Sequence, residues 1–321
     1  MTLLIIDGNA LVHPAQHSNK DNQHYRSDGL PVGAIGAFLQ KVWTISGNVG
    51  KPYMATHGVV VFDVRAPNWR HDILPSYKSG RSADPEIPPQ LRLCRAIVPH
   101  LGFKTAQVIG YEGDDLIATY VRLAGEAGMA SIVCTSDKDA LQLVRPGVSV
   151  FRTHTMQMAE VVDGKVLFGS EKDGVWLYPD LITHVQALAG DSTDGYSGIP
   201  GIGLKGAAEL IGRFGDLETL LCRSDEISKP GLRAKVQAGA LLARQSFRLA
   251  SLDDQAPVPL DLGELARSPI DAPGLLSALR ALEIVQFARR FAYPFGLRAD
   301  DAEPCPRIAD LADEQMEILA A

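Results

Sequence analysis

A chain of 321 residues with 46% hydrophobic and 21% charged side chains has the composition of a globular protein with a substantial core, which excludes fibrous and disordered classes. Its formal net charge of -7 speaks against a generally nucleic-acid-attracting surface, although carboxylates gathered around metal ions give that sign while basic patches lie elsewhere. Cys94, Cys134, Cys222 and Cys305 form no Cys-x-x-Cys pair, the apolar run before Asp7 is too short for a signal peptide and no later run is long enough to span a membrane, so a cytoplasmic protein with reduced thiols is expected.

In chain order, Leu3 to Ile6 reads as a buried parallel strand stopping at the turn Asp7-Gly8-Asn9, with Asp7 at its carboxyl end. His13 and His17 have the spacing of two ligands on one helix face, but Pro14 between them favours exposed or capping roles. Pro31 to Trp43 carries Val32, Ile35, Phe38, Leu39 and Val42 at a helical period, and Val59 to Phe62 is a second buried strand ending on Asp63. From Val64 to Pro89, Arg65, Arg70, His71, Lys78 and Arg81 are interleaved with Trp69 and Tyr77 and broken by prolines. A long aperiodic connection of this kind suits phosphate contacts and base stacking; the plain alternative is a solvated surface loop.

Pro89 opens a helix closed by Gly102, and a further helix follows from the acidic stretch Glu112-Gly113-Asp114-Asp115 to about Gly125–Gly128. Three carboxylates at one helix start exceed what a cap requires and repel one another unless a multivalent cation holds them. Ser131 to Cys134 is a third short strand, running into Ser136-Asp137-Lys138-Asp139, and Val148 to Phe151 is another. Arg152 to Asp173 is polar and chemically uninformative, Leu181 to Ala189 is helical, and Gly190 to Gly195 adds Asp191 and Asp194. The Gly-rich turn from Gly198 to Gly203, followed by Lys205 and a helix from Gly206 to Arg213, has no strand before it, so a dinucleotide-binding reading lacks its context. A hairpin whose bare backbone meets a phosphodiester and a plain helix connection both fit, and the residues leave the two open. Cys222 to about Phe295 is helical, with basic points that include Lys229, Arg233, Lys235, Arg244 and Arg248, and residues 299–321 form a tail with a terminal helical piece.

Strands that end in carboxylates, with helices between them, predict a parallel α/β sheet whose site lies beyond the strands' carboxyl ends. The candidates are Asp7, Asp63, Glu112, Asp114, Asp115, Asp137, Asp139, Asp191 and Asp194. Oxygen ligands in this number, without His or Cys clusters, point to magnesium or manganese, and to two ions rather than one. Such a pair suits in-line hydrolysis of a phosphodiester.

In these motifs, together with Ile6-Asp7-Gly8-Asn9, Gly29-Leu30-Pro31 and the Arg70-His71 to Arg81 stretch, the chain resembles the 5′-nuclease family over roughly Leu3 to Phe295. That family comprises the 5′-3′ exonuclease domain of bacterial DNA polymerase I, its free-standing relatives and the flap endonucleases. The resemblance implies an α/β, PIN-like parallel-sheet core over 1–180 with a helical arch at about 64–90, then a helical DNA-binding region with a helix-hairpin-helix element over 181–298. It implies a first metal on Asp63, Glu112, Asp114 and Asp115 with Asp7 close by, and a second on Asp137, Asp139, Asp191 and Asp194. Lys78 and Arg81 would polarise the scissile phosphate, so that Lys78, Arg81, Asp114, Asp115 and Asp137 form the catalytic set. Arg70, His71, Tyr77, Lys78, Arg81, Gly198, Gly201, Gly203 and Lys205 would contact DNA, with potassium on the backbone carbonyls of Ile199 and Ile202. The implied activity is a monomeric 5′-3′ exonuclease and flap endonuclease acting on 5′ ends, flaps and nicks alongside a polymerase and a ligase. A catalytically weak junction-binding protein and an RNase of the wider PIN group are the alternatives. The chain departs from the family pattern at His13 and Pro14, and at Gly195-Tyr196-Ser197 after the last acid.

Overall fold

The computed structural model describes residues 1–18, 24–48, 55–80, 84–170, 172–305, 307–308 and 310–312. Two compact units are interleaved along the chain: the first comprises Met1–Arg65, Ala83–Ser136 and Asp254–Ala321, the second Ala66–Ser82 and Asp137–Asp253. The elements run β1 (Thr2–Asp7), α1 (Gly8–Ser18), α2 (Gly33–Asn48), β2 (His57–Val61), α3 (Trp69–Ile73), α4 (Ile87–Ile97), β3 (Lys104–Ala106), α5 (Gly113–Glu126) and β4 (Ala130–Thr135). They continue with β5 (Val148–Arg152), β6 (Gln157–Met158), β7 (Val161–Val162), β8 (Lys165–Phe168), β9 (Val175–Leu177), α6 (Ile182–Ala189), β10 (Gly190–Asp191) and β11 (Tyr196–Ser197). The remaining helices are α7 (Leu204–Phe214), α8 (Leu217–Cys222), α9 (Pro230–Ala238), α10 (Ala240–Ala250), α11 (Ala272–Ala281) and α12 (Val285–Ala292).

In the first unit β2 and β4 flank β1 and β3 flanks β2, all parallel. Leu3 to Ile6 and Val59 to Val61 are at most 1% exposed, so these strands are apolar throughout rather than alternating, as helices on both faces require. Each such side chain contributes roughly 1.5–3 kcal/mol by leaving water. The register pairs Asp7 with Val61 and Ile6 with Cys134, which brings the carboxyl ends of three strands level. Helix α5 turns Leu116, Ile117, Tyr120 and Val121 inward. The non-helical stretch that follows α10 is tied to α5 where Thr119 Oγ1 accepts from the Ala256 amide at 3.1 Å and Tyr120 donates to the Leu260 carbonyl at 3.2 Å.

The second unit packs α6 among α7 and α10 around Ile182, Val185, Leu188, Ile211 and Leu249. It also carries a three-stranded antiparallel sheet, β7-β8-β9, and the antiparallel pairs β5-β6 and β10-β11. No helix among the described residues is long and apolar enough to cross a membrane.

Several expectations change. Helix α1 starts at Gly8 in place of a turn and runs through Pro14; His13, Pro14 and His17 are exposed, so the proline ring lies on the outer face of the helix. The connection from Val64 contains α3, and α4 begins two residues before Pro89 with Pro88 and Pro89 in its first turn, where a missing N–H breaks no helical bond. The polar stretch between Arg152 and Asp173 holds β6, β7 and β8, and the two-residue strand β11 precedes the Gly-rich turn, where no strand was expected. The terminal helical piece falls mostly on 313–321, outside the described residues.

Candidate active site

Every carboxylate expected at the first metal belongs to the first unit. Asp7 ends β1 and bridges two elements: its Oδ1 accepts from the Ala10 amide at 2.9 Å at the start of α1, and its Oδ2 from Thr135 Oγ1 at 2.7 Å at the end of β4. Asp63 lies two residues past β2; its amide donates to Asn9 Oδ1 at 3.1 Å and its Oδ1 accepts from the Gly113 amide at 2.6 Å. This second bond joins the end of β2 to the first residue of α5, where Glu112 is the N-cap and Asp114 and Asp115 stand in the first turn. Asp115 is fully buried and its Oδ2 accepts from the Glu112 amide at 3.2 Å. The positive end of α5 thus supports the group, and the strand ends fix it.

The acids expected at the second metal all belong to the second unit. Asp137 Oδ1 accepts from the Asp139 amide at 2.9 Å, and Asp139 Oδ1 from Gln186 Nε2 at 2.8 Å. Burial pushes the Asp139 carboxyl up to about 8, and the negative charge of Asp137 adds to the shift. Asp191, 6% exposed, pairs with Lys138 Nζ at 2.6 Å and accepts from the Thr193 amide at 2.8 Å. Burial works to raise Asp191, but the Lys138 ammonium and the nearby amides outweigh it and hold the carboxyl below its ordinary range. Asp194 accepts from the Tyr77 hydroxyl at 2.8 Å and has Lys78 Nζ at 3.9 Å. Beside this group, the buried Tyr196 hydroxyl and Gln186 Oε1 have no hydrogen-bond partner among the described residues.

Among the described residues no three His, Cys, Asp or Glu side chains form a ready metal cage. Most of these carboxylates instead accept from an amide or a hydroxyl or pair with an ammonium, as the bonds of Asp7, Asp63, Asp115, Asp137, Asp139, Asp191 and Asp194 show. The donor set nevertheless suits a hydrated divalent cation, being all oxygen, with the Asp139 carboxyl raised by burial and by the charge of Asp137 and with Gln186 Oε1 offering an acceptor to bound water.

The basic, aromatic segment behaves unlike its sequence reading. Arg70 is 1% exposed, donating from Nε to the Leu249 carbonyl at 3.1 Å and from Nη2 to that of Ser251 at 3.0 Å, so a charge expected to face phosphates is spent on the end of α10. Trp69 lies between the guanidinium groups of Arg70 and Arg248, at 4.2 and 4.6 Å from its ring. Tyr77, expected to stack on a base, is buried against Tyr196 and Leu249 and holds Asp194 instead. His71 is half-buried, closes the capping box of α3 with Asn68 and meets the edge of Tyr77. Lys78 is a non-glycine residue at φ 54°, a conformation fixed by its amide donating to the Asp194 carbonyl at 2.9 Å, and its partly buried ammonium lies over the Tyr77 ring at 5.1 Å. Arg81 lies outside the described residues.

The Gly-rich turn is closed by the Ile199 amide on the Leu188 carbonyl at 2.8 Å and the Ile202 amide on the Ile199 carbonyl at 3.0 Å. Ile199 and Ile202 point into the core, Gly203 is the N-cap of α7, and Gly198, Gly201 and Gly203 line a concavity of about 740 Å³ with Lys205 exposed beyond it. Sequence reasoning missed Asn9, Thr135, Gln186 and Lys138 as supports of the acids, although Asn9, Thr135 and Lys138 lie inside the stretches that drew attention.

Comparison with known proteins gives this geometry a context. The profile of the 5′-3′ exonuclease N-terminal resolvase-like domain matches residues 2–167, and that of the 5′-3′ exonuclease C-terminal SAM fold matches residues 177–273. DNA polymerase I of Rhizobium leguminosarum is 35% identical over 306 residues, covering 94% of this chain and 29% of that protein. The 5′-3′ exonuclease of Mycoplasma pneumoniae is 31% identical over 294 residues, covering 90% of this chain and 98% of that one. The chain thus spans about a third of the polymerase I relatives it matches and nearly the whole of the Mycoplasma enzyme. A structure of T5 5′-exonuclease with divalent metal ions (zinc) superposes with a TM-score of 0.65 at 22% identity, over 79% of this chain and 90% of that one, a likeness of fold.

Proposed function

Since the chain belongs to the 5′-3′ exonuclease family, we propose that it is a divalent-metal-dependent DNA nuclease that degrades 5′ to 3′ and cuts 5′ flaps, leaving 5′-phosphorylated products. One observation carries the reading: four carboxylates, Asp137, Asp139, Asp191 and Asp194, stand in one unit with Asp139 buried beside Asp137, and burial together with the charge of Asp137 pushes the Asp139 carboxyl up to about 8. A carboxylate group of that kind is costly to build unless a cation discharges it.

In this reading Asp63, Glu112, Asp114 and Asp115, with Asp7 close by, hold one magnesium or manganese ion, and Asp137, Asp139, Asp191 and Asp194 a second. Such ions, when bound, supply Lewis acidity at the scissile phosphate and acidify the attacking water. The chain's own work is positioning. Asp7 and Asp63 lock strand ends to α1 and α5, Tyr77 orients Asp194, and Lys78, held at φ 54°, presents its ammonium to the charge that grows on the phosphate. Lys138 balances Asp191 until a cation takes its place. At the hairpin the amides opening α7 and Lys205 face the duplex backbone, and the resemblance implies potassium on the carbonyls of Ile199 and Ile202. A monomer in the cytoplasm, working with a polymerase and a ligase, suits such a substrate and the unpaired, buried thiols of Cys94 and Cys134.

The test is cleavage of a 5′-labelled flap, a nicked duplex and a single strand with magnesium or manganese varied. Metal-dependent release of 5′-phosphorylated products is expected, with the junction substrates cut fastest. Tight junction binding without turnover in either metal overturns the nuclease reading in favour of a junction-binding protein, for which the Lys138–Asp191 pair is the supporting contact.

A further inference from the structure

Gly195-Tyr196-Ser197, where the chain departs from the family pattern, contains a buried hydroxyl that the site described above does not use. Strands β10 and β11 pair Asp191 with Tyr196 directly, and residues facing each other across an antiparallel pair send their side chains to the same face. The hairpin between them is held by the Gly195 amide donating to the Asp191 carbonyl at 3.0 Å, and β11 is fastened to α10 where Ser246 Oγ donates to the Ser197 carbonyl at 2.7 Å. The Tyr196 ring is fixed in turn by Tyr77, Leu249 and Ala250. Tyr196 is 4% exposed, yet its hydroxyl has no hydrogen-bond partner among the described residues. Neither has Oε1 of Gln186, whose Nε2 donates to Asp139 Oδ1 at 2.8 Å. Burial, and then the negative charges of Asp139, Asp191 and Asp194, push the Tyr196 hydroxyl up, so it keeps its proton beside three of the four acids of this group.

Packing alone does not call for this oxygen, because a phenylalanine ring fills the same space and leaves no buried hydroxyl unmet. A hydrated cation does call for it. Magnesium held by carboxylates keeps several waters, and their protons need acceptors. In this group acceptors are scarce: Asp139 Oδ1 already accepts from Gln186, Asp191 from Lys138 and the Thr193 amide, Asp137 Oδ1 from the Asp139 amide, and Asp194 from Tyr77. A tyrosine oxygen accepts from such water while donating its own proton to a carboxylate, and an amide oxygen accepts only. We propose that Tyr196 is a positioning residue of the second carboxylate group: its hydroxyl, with Gln186 Oε1, takes the hydrogen bonds of the cation's hydration water and so strengthens cation binding. The inference rests on the metal-dependent reading above and adds to it a residue outside the carboxylate set.

Tyr196→Phe keeps the ring and removes only the oxygen. Melting in chelator shows the fold intact, with Tm at or above that of the wild type, since no hydrogen bond within the chain is lost. Manganese uptake by the DNA-free chain is followed through the paramagnetic resonance of the free ion. One of the two uptake steps weakens roughly tenfold in the variant, and the other is unchanged. The magnesium concentration giving half-maximal flap cleavage rises by a similar factor, while kcat in saturating magnesium and junction affinity in chelator stay at wild-type values. Unchanged manganese uptake in Tyr196→Phe overturns the proposal, as does a lower Tm in chelator, which means that the hydroxyl is bonded within the protein. A wild-type chain that takes up no manganese instead overturns the metal-dependent reading itself.

Discussion

Lys138 Nζ stands 2.6 Å from Oδ2 of Asp191, an ion pair in which the Asp191 side chain is almost wholly buried and the Lys138 side chain is 41% exposed. The lysine is therefore a resident counter-charge on a residue proposed to hold a metal. Removing it by Lys138→Met leaves Asp191 buried and uncompensated, which lowers stability in chelator. The expected loss in Tm is roughly 2–4 °C for each kcal/mol. Magnesium or manganese then restores more stability to the variant than to the wild type. Equal metal-induced shifts in Tm for the two proteins would show that Lys138 and the cation do not compete for Asp191.

Asp114→Asn and Asp137→Asn each remove one negative charge from a proposed metal group without changing side-chain size. Both are expected to abolish flap cleavage almost completely while leaving junction affinity near that of the wild type. Lys78→Ala, by contrast, keeps every acid and removes the ammonium proposed to act on the phosphate, so kcat is expected to fall far more than affinity. Full turnover in either Asn variant, or equal losses of kcat and affinity in Lys78→Ala, contradicts the assigned roles.

The acids were legible because a strand end is a place where sequence and position coincide: an apolar run that stops at an Asp puts that Asp at the sheet's carboxyl edge, and the parallel register of β1 with β2 and β4 keeps Asp7 level with its neighbours. Helix α5 was legible from its acidic first turn. Arg70 and Tyr77 were not, because a basic or aromatic residue in an aperiodic segment has the same local signature whether it faces solvent or folds back onto α10. Two-residue strands such as β10 and β11 leave no periodicity to read, and they are what turns Asp191 toward its partners.

Asp139 makes stability in chelator depend on pH. Its carboxyl is raised from an ordinary 3.8 to about 8 in the folded chain. Between those values the unfolded chain has given up the proton and the folded chain still holds it, so this group's contribution falls as pH rises and is fully lost above about pH 8. Asp139→Asn removes that dependence, and is expected to be more stable than the wild type at pH 8 while failing to cleave. Urea midpoints at several pH values in chelator decide the matter: a variant whose stability falls with pH as steeply as the wild type's means that Asp139 ionises normally. In the wild type, saturating magnesium displaces the proton, so loading releases acid detectably below pH 8 and flattens the same profile.

Arg70→Ala separates a structural role from a DNA contact. Its guanidinium satisfies the Leu249 and Ser251 carbonyls at the end of α10 and stacks on Trp69, so truncation leaves acceptors unmet and the tryptophan uncovered on one side. A loss of roughly 2–4 kcal/mol in unfolding free energy is expected. Arg70→Lys recovers little of it, since an ammonium cannot span both carbonyls from one plane. At a temperature where the variant is still folded, its affinity for a nicked duplex and the slope of that affinity with salt should match the wild type's, because a buried cation releases no counterions from DNA. A slope lower by about 1 with unchanged stability would return Arg70 to the phosphate-contacting role that its neighbours in sequence suggest.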